Sequence, residues 1–299
     1  MKVIVLLNAA AGTTPAEQAH EDERAVHAAF AATGVTTELR RVDGHHLTDT
    51  ARQIAAAEHA PVAVVAAGGD GTQSAVAAAL AGTATPMGVL PMGTLNHFAK
   101  DLGIPLDLPT AARVIATGRA RAIDVAQVND RVFVNNSSIG LYPHVVRHRD
   151  EMRERLGRGK WLAMLLAIIA IFRRFPLVNL RLTVNGQTYQ HTTPFVFVGN
   201  NHYRIDRLNL GQRTTLENGD LCVYFARRTG RLGMLRLALL AFFGRLRQDR
   251  DFNALSATEL WIDTHKPTIN VAVDGEVDRL TPPLHYRSRP NSLNVILPA

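Results

Sequence analysis

The chain has almost no cysteine and no long apolar run. Its single cysteine, Cys222, cannot close an internal disulfide, so a reducing, cytoplasmic setting is expected. In "DLCVYFA" that residue reads as a small buried hydrophobe. The longest apolar run, "WLAMLLAIIAIF" from Trp161 to Phe172, falls short of the ~20 residues a bilayer crossing needs, so no transmembrane helix is expected. A buried or interfacial helix stays open there. The apolar opening "MKVIVLLNAAAG" reads as a first strand, not a leader. Internal repeats, low-complexity segments and basic recognition motifs are also missing. A nucleic-acid role would therefore rest on net charge alone, and no such partner is expected.

What is present describes a globular protein of one to two domains. The 299 residues are 46% hydrophobic and 20% charged, with a formal net charge of +7. That balance favours anionic partners. Over roughly the first 120 residues, short apolar strands alternate with helical stretches. Strands are expected at 2–7, 36–42, 61–67 and 87–91, and helices at 15–33, 47–59, 72–81, from Leu95, and at 108–117. Continuous apolar strands between helices imply a parallel sheet covered on both faces, a three-layer α/β domain. Near Ala122 the pattern changes. "AIDVAQV" and "RVFVNNSSI" flank the turn dipeptide "ND", and "NLRLTV" and "QTYQHTTPFVFV" flank "NG". Further strands follow in "DLCVYFA", "ATELWIDT", "TINVAVDG" and "SLNVILP", broken by helical stretches near 150–174 and 230–247. A mostly antiparallel, sandwich-like domain is expected. The partition is then 1–122 and 123–299, with the last residues free to rejoin the first sheet.

Chemistry concentrates where strands end. "VVAAGGDGTQSAV" closes the third strand, and ligands in such folds gather at those ends. Gly68, Gly69 and Gly71 let backbone N–H groups approach a phosphate, and the next helix offers its positive end with Thr72 as cap or ligand. Asp70 would repel a bare phosphate but suits one carrying Mg²⁺ or water. An ordinary strand–helix turn explains the glycines equally well. The next strand ends in "LPMGTLNHFA", where Gly93 turns the chain and Thr94 and Asn96 present polar groups. The first strand ends at Asn8, followed by Gly12, Thr13 and Thr14, which could equally cap a helix. Downstream, "VDGE" places Glu276 beyond an Asp274–Gly275 turn, which a plain hairpin would also explain.

Together "GGDGT" (68–72), "LPMGTLNHFA" (90–99) and "VDGE" (273–276) resemble the diacylglycerol-kinase catalytic family, most of all its bacterial soluble lipid kinases. Sphingosine and ceramide kinases are similar, and NAD kinases share a turn like "GGDGT". The resemblance spans nearly the whole chain. It implies a two-domain kinase with ATP and Mg²⁺ as cofactors and a lipid substrate in the cleft. It implies ATP contacts at Asn8, Gly68, Gly69, Gly71, Thr72, Gly93, Thr94 and Asn96, with Asp70 beside the phosphates. Asp124 matches an acid of a magnesium–water network, and Glu276 matches the proposed catalytic base. Thr215, Asn218 and Asp220 in "TTLENGDLCV" match a structural magnesium stretch, with Asn218 where an Asp is usual. Other departures are His97 after the "GTxN" asparagine, and Ser74 and Ala75 in place of an Asn-Glu pair. His97, flanked by apolar residues, reads as a structural histidine. Basic clusters around the apolar stretches at 147–175 and 227–250 suit peripheral contact with an anionic membrane, or simple packing on the sheets. The leading expectation is a lipid kinase. An NAD-kinase-like small-molecule kinase and a non-catalytic nucleotide- or lipid-binding regulator are the alternatives. Homodimerisation is left open.

Overall fold

The architecture comes from a computed structural model that describes residues 2–9, 16–57, 62–140, 177–184, 186–205, 210–213, 215–226, 233 and 252–299. Gly12, Thr13, Thr14 and the expected helices at 150–174 and 230–247, with their basic flanks, lie outside these residues.

The first half alternates as the apolar pattern requires. Strand β1 (Lys2–Ala9) leads to α1 (Ala16–Ala31), β2 (Thr36–Asp43), a 3-10 turn at Gly44–His46 and α2 (Leu47–Ala55). Then come β3 (Ala63–Gly68), α3 (Asp70–Leu80), β4 (Met87–Pro91), α4 (His97–Asp101) and α5 (Leu108–Thr117). β1, β2, β3 and β4 pair in parallel in the order β2-β1-β3-β4. Every residue of β3 and β4 is buried, because helices cover both faces. The helix ends follow local chemistry. Gly34 takes φ 70 just beyond α1, and Asp107 caps α5 by accepting from the Thr110 N–H at 3.0 Å.

The second half is built from strands. They are β5 (Arg119–Val128), β6 (Arg131–Phe133), β7 (Asn136–Gly140), β8 (Val178–Val184), β9 (Gln187–Thr193) and β10 (Phe195–Asn200). After them run β11 (Tyr203–Ile205), β12 (Leu210–Arg213), β13 (Leu221–Ala226), β14 (Phe252–Ala257), β15 (Glu259–Asp263), β16 (Ile269–Val273), β17 (Glu276–Leu280) and β18 (Leu284–Leu297). A six-stranded antiparallel sheet has the order β14-β13-β10-β7-β16-β17. It packs against β5, β8, β15 and β18 over a core that includes Phe133, Ile139, Val198, Val223, Leu260 and Tyr286.

β5, β8, β9, β15 and β18 belong to the same ten-stranded sheet as β1–β4. β18 lies parallel to β4 and antiparallel to β5. Both long strands pass from one core to the other: Leu293 and Val295 pack with the α/β layer, and Leu284 and Tyr286 with the sandwich. Two expected strands divide. "RVFVNNSSI" splits into β6 and β7, which join different sheets through Val134 and Asn135. "QTYQHTTPFVFV" splits at Pro194, which has no N–H for a ladder, into β9 and β10. β11, β12 and β14 were not expected from the sequence, and β18 begins eight residues earlier than its apolar end, "SLNVILP", suggested.

Candidate active site

Two glycine turns meet at the C-terminal ends of β3 and β4. Gly69 precedes α3 with no side-chain cap, so the first N–H groups of that helix keep no intrahelical partner. A Cβ on Gly93 would stand 2.5 Å from the Gly69 Cα, so the two turns touch backbone to backbone. The Met92 N–H donates to the Gly68 carbonyl at 3.0 Å. Thr72, buried, lays its hydroxyl over Gly68, where a Cβ would stand 2.4 Å from its Oγ1.

The side chains of the second turn are spent on holding it. Asn96, left-handed at φ 50, accepts from the Gly93 N–H at 3.0 Å and donates to the Gly93 carbonyl at 2.7 Å. Its amide therefore shapes the turn and is already engaged. Asp70 Oδ1 accepts from the Phe98 N–H of α4 at 3.3 Å, which ties the first turn to the second. Thr94 is exposed at the tip of the turn. His97 is exposed too, so its apolar flanks do not bury it.

The first turn forms one wall of a cleft of about 790 Å³, and Gly68, Asp70, Gly93, Thr94 and Asn96 lie outside its lining. Asn8, Gly69, Gly71, Thr72 and Ser74 line that wall, and Asp274 and Glu276 line the cleft as well. Asn8 Oδ1 is buried in it without a hydrogen bond, whereas the Ser74 hydroxyl lies against the Asp274 carboxylate. Buried polar atoms normally have partners, so Asn8 marks a place for a polar ligand. Arg52, paired with Asp49 at 3.1 Å, also lines the cleft.

A two-residue hairpin turn forms a second part of the lining, in contact with α3 through Ser74 and Asp274. Asp274 at φ 47 and Gly275 at φ 92 connect β16 and β17, with Val273 paired to Glu276. The Asp274 carboxylate accepts from three consecutive backbone N–H groups: Val134 at 2.9 Å, Asn135 at 2.8 Å and Asn136 at 3.0 Å. Burial pushes its pKa up, and those amides together with the nearby Ser74 hydroxyl hold the rise back. Glu276 is free of such bonds. Its carboxylate is 69% exposed and its nearest cation is Arg131 at 3.9 Å, which pairs more closely with Asp278 at 2.6 Å. A solvent-reaching carboxylate in the same cleft as a helix start is an arrangement for taking a proton from a hydroxyl near a bound phosphate.

Asp124 lies elsewhere. It is buried and accepts from the Gly219 N–H at 2.6 Å, the Asn291 N–H at 2.9 Å and Asn201 Nδ2 at 3.3 Å. Three donors satisfy it within a junction joining β5, the 215–220 loop and β18. Asp70 and Asp124 belong to separate hydrogen-bond systems.

The 215–220 stretch holds the three residues matched to a structural magnesium. Thr215 Oγ1 accepts from the Glu217 N–H at 3.1 Å, and the Asn218 N–H donates to Asn201 Oδ1 at 3.1 Å. Asp220 Oδ2 takes the Ser256 hydroxyl at 2.6 Å and lies 2.9 Å from His202 Nε2. Asp220 Oδ1 is buried without a hydrogen-bond partner, so one carboxylate oxygen there stays open to a cation. Among the described residues no three His, Cys, Asp or Glu side chains cluster as a metal site.

The sequence did not single out Arg131, Asp278, Asp101 or Arg213. Arg131 follows a turn and resembles any exposed basic residue. Arg213 is almost wholly buried and paired to Asp101, which only the fold reveals.

Comparisons with known proteins match this layout. Residues 2–128 match the diacylglycerol kinase catalytic domain, and residues 136–297 match the YegS C-terminal NAD kinase beta sandwich-like domain. A protein of Citrobacter koseri named "Probable lipid kinase YegS-like" is 30% identical over 86% of this chain and 83% of its own. An uncharacterized protein of Synechocystis is 28% identical over 79% of this chain, which spans 54% of that longer relative. The crystal structure of a diacylglycerol kinase from Bacillus anthracis superposes with a TM-score of 0.69 at 20% identity, covering 99% of this chain and 96% of that one, and so shares the fold. These two matched domains and the 30% identical relative place the chain in the diacylglycerol kinase catalytic-domain family, in the branch that carries the YegS C-terminal domain.

Proposed function

We propose that the chain is an ATP-dependent lipid kinase that transfers the γ-phosphoryl group to a lipid hydroxyl. The observation that carries this reading is the shared cleft: the start of α3 and Glu276 line the same cavity. ATP phosphates would lie against the backbone N–H groups at Gly69, Gly71 and Thr72, and Asn8 Oδ1, an acceptor, would take an N–H or O–H of the nucleotide and not a phosphate oxygen. Glu276 would accept the proton of the attacking hydroxyl. Magnesium, when bound with ATP, supplies charge neutralisation at the phosphates. Asp70 keeps one carboxylate oxygen beyond its bond to Phe98, so it suits a hydrated ion at that end. Residues 1–122 would serve the nucleotide and 123–299 the acceptor, at a membrane surface that the protein visits peripherally. No helix among the described residues is long and apolar enough to cross a membrane.

The test is transfer of labelled phosphate from ATP to a panel of lipid alcohols, with Asp70→Asn and Glu276→Ala as controls. Labelled lipid from the wild type and loss of label in Glu276→Ala are expected. Full turnover in both variants would refute the assigned roles. A second reading, a small-molecule acceptor, draws on the NAD kinase beta sandwich-like description of the C-terminal match. Labelling of NAD and of no lipid would establish it. ATP binding with no acceptor labelled would instead favour a regulator.

A further inference from the structure

We propose that Arg213 is a positioning residue, a buried guanidinium that joins the two walls of the cleft through α4. Its catalytic consequence rests on the kinase reading above.

Arg213 leaves none of its side chain exposed, and its partner Asp101 leaves 6%. Arg213 Nε donates to Asp101 Oδ2 at 2.8 Å. The rest of the guanidinium turns the other way. One terminal nitrogen donates to the Val134 carbonyl, and the other donates to Asn135 Oδ1 at 2.9 Å. Burying such a pair costs desolvation that an apolar substitute would avoid, so stability alone does not explain it. Its contacts do explain it.

Val134 and Asn135 are the link between β6 and β7, and their N–H groups hold Asp274. In a trans peptide the C=O and the next N–H point to opposite sides. Pinning the carbonyls therefore aims the amides. The Val134 carbonyl accepts from Arg213 and from Asn200 Nδ2 at 3.0 Å. The Asn135 carbonyl accepts from the Tyr203 hydroxyl at 2.9 Å and from the Asn200 N–H at 3.0 Å. With those carbonyls fixed, the Asn135 and Asn136 N–H groups converge on Asp274 Oδ1. Asp274 in turn sets the hairpin that presents Glu276.

Asp101 closes the path at the other end. It is the last residue of α4, whose Phe98 N–H binds Asp70. One short helix thus holds the glycine turn at its start and, through Arg213, the acidic turn at its end. The charged fork is suited to this because it bonds a carboxylate, a backbone carbonyl and a side-chain amide at once. A lysine in its place keeps the charge but cannot make all three contacts.

The test needs no known acceptor for its first arm. Hydrogen exchange on the full chain is compared for the wild type and Arg213→Lys, over peptides spanning 131–140, 272–280 and 66–80. The first two should exchange about 10-fold faster in the variant, with 66–80 unchanged. Should Arg213→Lys not fold, Asp101→Asn carries the same expectation. An unchanged 272–280 peptide in a folded variant overturns the proposal. The second arm is kinetic. Arg213→Lys should lower kcat about 100-fold with KM for ATP held, as misplaced catalytic groups do. In a Glu276→Gln background it should add no further loss, whereas full additivity there overturns the coupling. A wild type that transfers nothing to any acceptor defeats the kinase reading alone, and the exchange arm still decides the inference.

Discussion

The two walls of the cleft are built in opposite ways. The glycine wall is local. Gly69 packs on Gly93, Asn96 folds back on Gly93, and Asp70 reaches Phe98, only 28 residues away. The acidic wall is assembled from afar: Asp274 is held by amides 138–140 residues away in sequence. The local wall is set by glycine geometry and by short turns closing on themselves. The distant wall depends on two sheets meeting correctly, and so on the buried contacts around Val134 and Asn135. Nucleotide binding should accordingly follow the first wall, and transfer the second.

The comparison breaks most sharply at Gly93. Alanine there puts a methyl group 2.5 Å from the Gly69 Cα and 2.9 Å from Asn96 Oδ1. The first is backbone, and the second is a side-chain end held by its bonds to Gly93. Overpacking of this kind costs about 1–3 kcal/mol, and ATP affinity should fall at least about 10-fold as the turns separate. Thermal unfolding and ATP titration of Gly93→Ala check this, and unchanged ATP affinity would show that the local wall does not hold the nucleotide.

Asp274→Asn probes the distant wall. It leaves three converging amides with a poorer acceptor, an expected loss of about 1–3 kcal/mol at neutral pH with ATP affinity kept. The loss should vary with pH. Burial raises the Asp274 carboxyl above its ordinary value, so the folded protein holds that proton more tightly than the unfolded chain. Stability from this group is then fully present below the ordinary carboxylate pKa of about 3.9 and is lost as pH rises through the raised value. The wild type should gain on Asp274→Asn in Tm as pH falls from neutral. A gap that narrows on acidification would contradict the assignment.

The smallest effect is expected outside both walls. Asn218 is exposed, and its side chain has no role in the cleft. Asn218→Ala should shift stability within about 0.5 kcal/mol. Magnesium titrated without nucleotide should raise the Tm of neither protein. A metal-dependent rise abolished by the substitution would restore a structural ion at 215–220.

The same contrast explains what the sequence could reveal. β3 and β4 were legible because strands buried on both faces read as unbroken apolar runs. The turns at Gly69, Gly93 and Asp274–Gly275 were legible because glycine, Asn-Gly-like and Asp-Gly geometry is written in adjacent residues. The splitting of 131–139 and 187–198 between two sheets was not legible, since a strand's partner is chosen by the rest of the fold. Asp124 was recognised as an important acid, but its three donors come from residues 201, 219 and 291. Arg213 sat in "GQRTT" like any surface arginine, and only its burial against Asp101 and Asn135 marks it.

The most direct measurement is made on one variant, Glu276→Gln, in which ATP affinity and the rate of phosphoryl transfer to a lipid acceptor are read side by side. With the glycine wall untouched, ATP should bind within about threefold of the wild type, while transfer falls between about 100- and 10,000-fold, the range for removing a general base. Transfer at the wild-type rate, or a loss of ATP binding that accounts for all the lost activity, would contradict the division of labour between the two walls.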